Sequence, residues 1–238
     1  MIKELFQIIF SRKEKRTVNA QSDSAPAESH IFNFEFAKKY IYGKTVLDVG
    51  CWTGQFEELA IKVTKKIVGI DPDENAIKFA KHKIPKVTFL KGDATNLHFK
   101  NGSFDAVTFL DVIEHIPTGT ELICLQQIYK VLKANGTLIL STNYKHPLAI
   151  LLDPAFWAYG HRHYSKNELK GLLAKSGFTV DKMITVGGLI RILSHDISLL
   201  VKHILRMNIK YPAVIRKKIS EDIKHGGIMA IYIVAHKN

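Results

Sequence analysis

The sequence predicts an α/β domain built on a doubly wound, mostly parallel sheet. Short apolar runs rich in β-branched residues alternate with helical segments of about 10–15 residues up to residue 143, which is typical of right-handed βαβ units. The chain has 238 residues, 46% of them hydrophobic, which is enough for one full-sized domain with a packed core. Two further strands are predicted after residue 143, so that the sheet has seven strands.

Each element is predicted from its local pattern. Apolar runs predict the strands, which are, in chain order, TVLDVG, KIVGID, VTFLKGDA, FDAVTFLDVI, GTLILSTN, TVDKMITVGG and GIMAIYIVAHKN. Helical periodicity predicts the helices QFEELAIKVT, DENAIKFAKHKI, GTELICLQQIYKVLKANG and SKNELKGLLAKSGF. The last of these helices begins after Ser165, which is a good N-cap residue, and ends at Gly177.

The domain organisation is predicted to have three parts. Residues 1–30 form an amphipathic helix followed by a small, polar linker that contains a proline. Residues 31–238 form the α/β domain. Within that domain, a helical and basic segment at about 189–224 is too long for an ordinary hairpin loop, and we expect it to be an inserted helical subdomain.

The formal net charge of +12 predicts an anionic partner, such as nucleic acid, an acidic membrane surface or a phosphorylated ligand. Much of this charge lies beside apolar helical positions in the N-terminal segment and the insertion. Basic amphipathic helices favour an anionic membrane surface, although a solvated face packed on the domain is the alternative. Cys51 and Cys124 are expected to be small core residues. With neither a spanning segment nor a secretory signal in the sequence, we expect a cytoplasmic protein that is either free or peripheral at a membrane.

A glycine-rich turn follows the first predicted strand. Asp48, Gly50 and Gly54 have the form D-x-G-x-x-x-G, and a glycine directly after a strand lets the backbone approach a ligand closely. Trp52 stands where the dinucleotide-binding pattern G-x-G-x-x-G has its second glycine. The turn therefore favours a ligand without a pyrophosphate over NAD. Whether the indole covers that ligand or packs outward stays open at this point.

Acidic residues also end the next three predicted strands. Asp71 follows the first glycine by about 20 positions, where an acid can accept hydrogen bonds from both ribose hydroxyls. Asp93 is placed for an amide-type donor such as the adenine amino group, with Ala94 offering a backbone N–H, and Asp111 closes the fourth strand. Because like charges gathered at one sheet edge cost stability, a cationic or hydroxyl-rich ligand explains them better than chance does.

These stretches together resemble the class I S-adenosylmethionine-dependent methyltransferases, particularly the group acting on small molecules and lipid quinones. The resemblance covers roughly residues 40–180 and the final strand, and it rests on VLDVGCWTGQF, IVGIDPDENAIKFAK, FLKGDATNLHFKNGSFDAVTFLDVIEHI, VLKANGTLILSTN and HRHYSKNELKGLLAKSGF. It implies a Rossmann-like methyltransferase fold with an antiparallel last strand. It also implies S-adenosyl-L-methionine as the cofactor.

The resemblance implies roles for the residues of the turn and the strand ends. Asp48, Gly50 and Gly54 would hold the methionine part of the cofactor, and Trp52 belongs to the same loop. Further along the chain, Asp71 would bind the ribose with Pro72 near the adenine, Asp93 and Ala94 would contact the adenine edge, and Asp111 would line the methionine end and the substrate mouth.

The residues that meet the methyl acceptor are predicted less directly. His115, in the stretch DVIEHI, lies just after the fourth strand and has a pKa range suited to a general base, although it can also serve only to position the loop. Five residues near the end of the fifth strand and before the helix that follows are predicted to line the acceptor pocket: Asn143, Tyr144, His161, His163 and Tyr164. The alternatives are that the histidines anchor the loop and that the aromatic residues belong to the core. The H-x-H pattern lacks a third ligand at a fitting spacing, so no metal is predicted.

The predicted function is methyl transfer to a small-molecule or lipid-like acceptor, with O-methylation favoured. No N-P-P-[YF] run follows the fourth strand, which disfavours methylation of amino groups in nucleic acid bases. An RNA acceptor, suggested by the net charge, is one alternative. A non-catalytic protein that binds a membrane surface or a partner on the same scaffold is the other, because fold does not fix function.

Overall fold

The structure is a computed structural model, and it describes residues 28–153, 156–157, 160–188, 190, 194, 197, 201, 212–224 and 226–238. The predicted helix and linker of residues 1–30 lie outside this part except for the last three residues, and so does much of the insertion at 189–224. The domain boundaries stay predictions. The chain divides into two compact units, of which one includes residues 28–141, 167–183 and 233–238 and the other residues 142–166 and the described part of 184–232.

The seven predicted strands form one mixed sheet with the order β3-β2-β1-β4-β5-β7-β6 and an antiparallel last strand, so the predicted fold class is confirmed. The strands are β1 (Thr45–Val49), β2 (Lys66–Asp71), β3 (Thr88–Lys91), β4 (Phe104–Leu110), β5 (Leu132–Asn143), β6 (Phe178–Val186) and β7 (Ala230–Lys237). Strand β1 pairs in parallel with β2 and with β4, so the strand order reverses beside β1. In such sheets, ligands bind at the carboxyl ends of the strands beside this reversal.

Helices connect the strands as the periodicity predicts. They are α1 (Glu28–Ile41), α2 (Gln55–Ala60), α3 (Glu74–Lys83), α4 (Glu121–Val131), α5 (Pro147–Leu151), α6 (Lys166–Lys175) and α7 (Ala213–Lys224). Helix α2 is shorter than the predicted segment, and turns follow it. In these turns the hydroxyl and the N–H of Thr64 both donate to the carbonyl of Ala60. Helix α4 also ends earlier than predicted, and strand β5 begins directly after it at Leu132. Leu132 pairs with Phe104 of β4, and the register of the two strands shifts after this pair. None of the described helices is long and apolar enough to cross a membrane.

The core lies on both faces of the central strands, which explains their continuous apolar runs. Val46 and Leu47 in β1 are both fully buried, and Ala106 and Val107 in β4 are as well. On one face, α1 contributes Phe34, Ala37 and Ile41 to a cluster with residues of β1 and β2. Helix α1 is therefore an integral layer of the domain and holds a fixed position against the end of the sheet.

The first turn of α3 begins directly after β2 and is capped by Asp73. The side chain of Asp73 accepts hydrogen bonds from the N–H groups of Asn75 at 2.8 Å and Ala76 at 3.1 Å. This cap satisfies two of the N–H groups that a helix start leaves without partners. It thereby fixes where the loop after β2 turns into the helix.

Replacing Asp73 with alanine is expected to lower the free energy of unfolding by about 1 kcal/mol, because the two capped N–H groups lose their acceptor. Urea denaturation of the wild type and of Asp73→Ala measures this difference. Glu35→Ala, an acid removed from an exposed position of α1, serves as the matched control and should change the value by less than about 0.5 kcal/mol. Equal losses in both variants would contradict the capping role.

Candidate active site

The turn after β1 depends on a glycine at position 50. Gly50 has φ +87°, and both its N–H and that of Cys51 donate to the carbonyl of Ile70 at the end of β2, at 2.8 and 3.0 Å. A Cβ atom at position 50 would overlap the side chain of Val112, which follows β4. The backbone therefore passes between two strand ends where only glycine fits.

The loop after β1 is tied to the loop after β2 by Asp71. Its Oδ2 accepts the N–H of Trp52 at 3.0 Å, and its Oδ1 accepts the N–H of Asp73 at 2.9 Å. Trp52 has φ +46°, a left-handed conformation that is unfavourable for a bulky residue, and the contact with the carboxylate supports it. Gly54, at φ +80°, then starts α2. The Asp71 side chain is thus largely buried and fixed in direction.

Asp93 follows strand β3 and Asp111 follows strand β4, the strands that flank β2 and β1 in the sheet. Asp93 Oδ1 accepts both the N–H and the hydroxyl of Thr95 at 2.8 Å, which forms a tight turn. Asp111 has φ +56°, and its two carboxylate oxygens accept from Ser141 Oγ at 2.6 Å and from Asn33 Nδ2 at 3.1 Å. Each acid is therefore held by donors from its own loop or from neighbouring elements.

A cavity of about 540 Å³ opens at this edge of the sheet. Eight of the ten residues predicted for the cofactor site and the general base line it: Gly50, Trp52, Asp71, Pro72, Asp93, Ala94, Asp111 and His115. Trp52 is among these lining residues, and the place of its indole relative to a ligand stays a prediction. Asp48 and Gly54 are not among the lining residues. The individual roles of all ten residues stay predictions.

Comparisons with known proteins match this architecture. The family described as "Methyltransferase domain" matches residues 47–140, the region from β1 to β5 that carries the cavity. Over this region the chain is similar to S-adenosylmethionine-dependent methyltransferases.

Relatives in sequence share this methyltransferase region at modest identity. A demethylmenaquinone methyltransferase of Lactococcus lactis is 33% identical over 125 residues, which are 49% of this chain and 48% of that protein. A ubiquinone biosynthesis O-methyltransferase of Xanthomonas oryzae is 31% identical over 127 residues, or 49% of this chain and 50% of that protein. The chain spans about half the length of the curated relatives it matches.

Solved structures share the methyltransferase fold at lower identity. A protein from Pyrococcus horikoshii has a TM-score of 0.64 and 21% identity, covering 93% of this chain and 95% of that one. The [4+2]-cyclase SpnF also has a TM-score of 0.64, at 19% identity, covering 87% of this chain and 79% of that one. These similarities concern the fold alone.

Beneath the cavity lies a pair of buried carboxyl groups, Asp48 and Glu57. Thr108 Oγ1 donates to Asp48, and Gly69 in β2 leaves room for Glu57, because a Cβ there would overlap the Glu57 carboxyl group. Burial raises the pKa of Asp48 to about 6, against the hydrogen bond from Thr108. Burial, then the charge of Asp48, raises the pKa of Glu57 well above its usual range. We infer that the pair retains a proton, carried by Glu57, at neutral pH.

The sequence did not identify Glu57 or the three side chains that organise Asp111 and Asp48. Glu57 looked like an ordinary acid in the first turn of an exposed helix, yet it is fully buried. Asn33, Thr108 and Ser141 come from three different elements and meet the acids only in the fold. One local signal existed for the cavity wall, since Ile116 and Pro117 directly follow His115 and also line it.

The residues predicted to line the acceptor pocket belong to the other compact unit: Asn143, Tyr144, His161, His163 and Tyr164. His161 Nδ1 and His163 Nε2 lie 3.2 and 3.3 Å from the same oxygen of Asp153. Burial lowers the pKa of His163, against the charge of Asp153. Asn143 Nδ2 lies 3.3 Å from His161 Nδ1, and Tyr144 forms a parallel bridge with Tyr164. The five residues therefore form one local cluster, and their contact with an acceptor stays a prediction.

Glu57→Gln is expected to stabilise the protein increasingly as the pH rises from 5.5 to 8.5. A carboxyl group whose folded-state pKa is raised stabilises the fold fully below its ordinary pKa, and this stabilisation is lost as the pH rises through the folded-state pKa, which for Glu57 lies well above its usual range. An amide at position 57 does not ionise, so it removes the part of the loss that Glu57 causes. We expect the free energy of unfolding of the variant to gain at least about 1 kcal/mol on the wild type across this range.

Urea denaturation at several pH values measures the effect. Glu35→Gln, an exposed acid changed in the same way, is the matched control and should follow the wild type at every pH. A difference between Glu57→Gln and the wild type that does not change with pH would contradict the shared proton.

Proposed function

We propose that this protein is an S-adenosylmethionine-dependent methyltransferase that binds its cofactor in the cavity at the ends of β1, β2 and β4. The observation that carries the proposal is the acidic, glycine-walled cavity. Asp71, Asp93 and Asp111 line it beside Gly50, and no lysine or arginine is among the residues described around it. The volume of about 540 Å³ lies within the usual range for small-molecule sites.

The lining residues fit this cofactor better than they fit a dinucleotide. An acidic rim suits a ligand that carries a sulfonium and an ammonium group, whereas a pyrophosphate is favoured by positive charge and a helix N-terminus free of acids. Helix α2, by contrast, has Glu58 in its first turn. Trp52 also occupies the position where a second glycine would be needed.

Four lining residues would hold the cofactor in this proposal. An ionised carboxylate accepts up to about four hydrogen bonds, so Asp71 can bind ribose hydroxyls as well as its two backbone partners. Asp93 and Ala94 offer the carboxylate and the backbone N–H that an adenine edge requires. Asp111, at the end of β4, would face the cationic methionine end.

The acceptor is proposed to be a small or lipid-like molecule with a hydroxyl group, such as a quinol. When bound, the cofactor supplies a methyl group on a positively charged sulfur and leaves as the neutral S-adenosylhomocysteine. Ile116 and Pro117 give the cavity an apolar wall next to His115, which suits a ring or an isoprenoid-like chain. Two relatives bear the names of quinone-pathway methyltransferases, which supports this class of acceptor.

Asp71→Asn is expected to weaken the binding of S-adenosylhomocysteine by about 10–100-fold, because hydrogen bonds to a charged group are worth about 1.5–3 kcal/mol. Isothermal titration calorimetry of the wild type and the variant measures this loss. Asp181→Asn removes an acid of β6 that does not line the cavity, so it should bind as the wild type does. Absence of binding to the wild type would refute the proposed cofactor, and unchanged binding to Asp71→Asn would refute the assignment of Asp71.

A second proposal concerns attachment to an anionic membrane surface, which would suit a lipid-like acceptor. The exposed side of α1 and the adjoining strand β6 form a groove of about 610 Å³ with basic and aromatic side chains. The ammonium group of Lys39 lies 4.7 Å from the ring centre of Tyr40, and that of Lys182 lies 5.9 Å from the ring centre of Phe36. Lysines with aromatic rings at an exposed helix are typical of interfacial contacts, and Tyr42 is 72% exposed.

Reversal of charge in Lys38→Glu/Lys39→Glu is expected to weaken binding to vesicles that contain phosphatidylserine by at least about tenfold, because each lysine near such a surface contributes about 1 kcal/mol. Co-sedimentation with these vesicles and with pure phosphatidylcholine vesicles measures the effect. Lys81→Glu/Lys86→Glu changes the net charge equally at exposed positions in and after α3. Equal losses in the two double variants would show that net charge alone is responsible.

A further inference from the structure

The carboxylate of Asp111, which lines the cavity, is held by two side chains that are themselves buried. Asp111 is exposed, whereas Asn33 is 5% exposed and Ser141 is fully buried. Ser141 Oγ donates to Oδ1 of Asp111 at 2.6 Å, and Asn33 Nδ2 donates to Oδ2 at 3.1 Å. Both carboxylate oxygens are therefore bound to the protein at the point where the side chain reaches the cavity.

Helix α1 fixes the position of the Asn33 amide. Phe34, Ala37 and Ile41 of this helix pack in the core cluster with residues of β1 and β2. Asn33 precedes Ala37 by four residues, so the two side chains lie on the same side of the helix. Because the helix cannot turn without breaking this packing, the amide defines one orientation of the Asp111 carboxylate.

The two partners of the carboxylate are uncharged. An amide and a hydroxyl group orient a carboxylate without cancelling its charge, whereas a lysine or an arginine in either place would pair with it. An ionised carboxylate accepts up to about four hydrogen bonds, so Asp111 keeps acceptor capacity for a ligand beside its contacts with Asn33 and Ser141. This arrangement suits a cationic group of a ligand in the cavity.

We propose that Asn33 is a positioning residue that orients the Asp111 carboxylate toward the cationic methionine part of the cofactor. Asn33 acts through Asp111 and is not among the residues that line the cavity. Without the amide, Ser141 alone would hold the carboxylate, and ligand binding would have to order the side chain. This inference rests on the proposed function. It places a determinant of ligand binding in α1, outside the matched residues 47–140.

A comparison of two ligands tests the proposal. Calorimetric titration with S-adenosylhomocysteine is compared with titration by 5′-methylthioadenosine, which keeps the adenosine part and lacks the amino-acid part. We expect Asn33→Leu to bind S-adenosylhomocysteine at least about fivefold more weakly than the wild type does, because a hydrogen bond to a charged group is lost. Its affinity for 5′-methylthioadenosine should change by less than about twofold.

Asn101→Leu is the matched control for this comparison. Asn101 is exposed in the turn before β4 and does not line the cavity, so this variant should bind both ligands as the wild type does. Equal losses for the two ligands in Asn33→Leu would show that Asn33 supports the cavity as a whole. That outcome, or unchanged affinity for S-adenosylhomocysteine, would overturn the proposal.

A double-mutant cycle tests whether Asn33 acts through Asp111. Asp111→Asn removes the charge that Asn33 is proposed to orient. We therefore expect Asn33→Leu/Asp111→Asn to bind S-adenosylhomocysteine within about twofold of Asp111→Asn alone. A further loss in the double variant as large as that in Asn33→Leu alone would show that Asn33 acts independently of Asp111, which contradicts the proposal.

A measurement on the wild type decides the question if Asn33→Leu does not fold. The side-chain amide signals of Asn33, assigned by triple-resonance NMR, are followed as each ligand is added. We expect them to shift with S-adenosylhomocysteine and to stay in place with 5′-methylthioadenosine, since only the first ligand brings a cation to Asp111. The amide signals of Asn101 should respond to neither. No response of Asn33, or the same response to both ligands, would overturn the proposal.

These measurements separate the inference from the proposed function. If the wild type binds neither ligand, the proposed function fails and this inference fails with it. If the wild type binds S-adenosylhomocysteine but Asn33 does not distinguish the two ligands, the inference alone fails and the proposed function stands.

Discussion

The carboxylate of Asp71 is the interaction on which the cavity depends, because it holds the loop after β1 against the loop after β2. Both of its oxygens accept backbone N–H groups, one from Trp52 and one from Asp73. These contacts offset the cost of the left-handed conformation of Trp52 and keep Gly50 against Val112. Asp71 therefore shapes the cavity even without a ligand. The same carboxylate that would contact the ligand also orients the loop around the cavity.

The acids of this region fall into two groups with different environments. Asp71, Asp93 and Asp111 line the cavity and accept hydrogen bonds from N–H, hydroxyl or amide groups. Asp48 and Glu57 lie below in a region without solvent, where burial favours the neutral form. The three acids of the first group thus lie at the cavity, whereas burial disfavours negative charge on Asp48 and Glu57 below it. This division explains how so many carboxyl groups fit at one sheet edge of a protein whose net charge is +12.

The sequence predicted the strands, the class of sheet and most of the cavity lining, because these follow from local patterns. An acid at the end of a parallel strand lies at the same edge as its neighbours whatever the details of packing. The burial of Glu57 could not be predicted in this way, since it depends on the space that Gly69 leaves in another strand. The same is true of Asn33 and Ser141, which reach Asp111 from α1 and β5. Long-range contacts of this kind leave no periodicity in the chain.

The surroundings of Asp111 combine side chains from the sheet and from helix α1, so the class of fold does not determine them. A cyclase shares the fold of this chain, and a fold alone does not fix the chemistry. Asp111 is held in a strained conformation by Ser141 of the sheet and by Asn33 of α1. Because α1 lies outside the region matched by the family, its side chains can differ while the cavity stays the same.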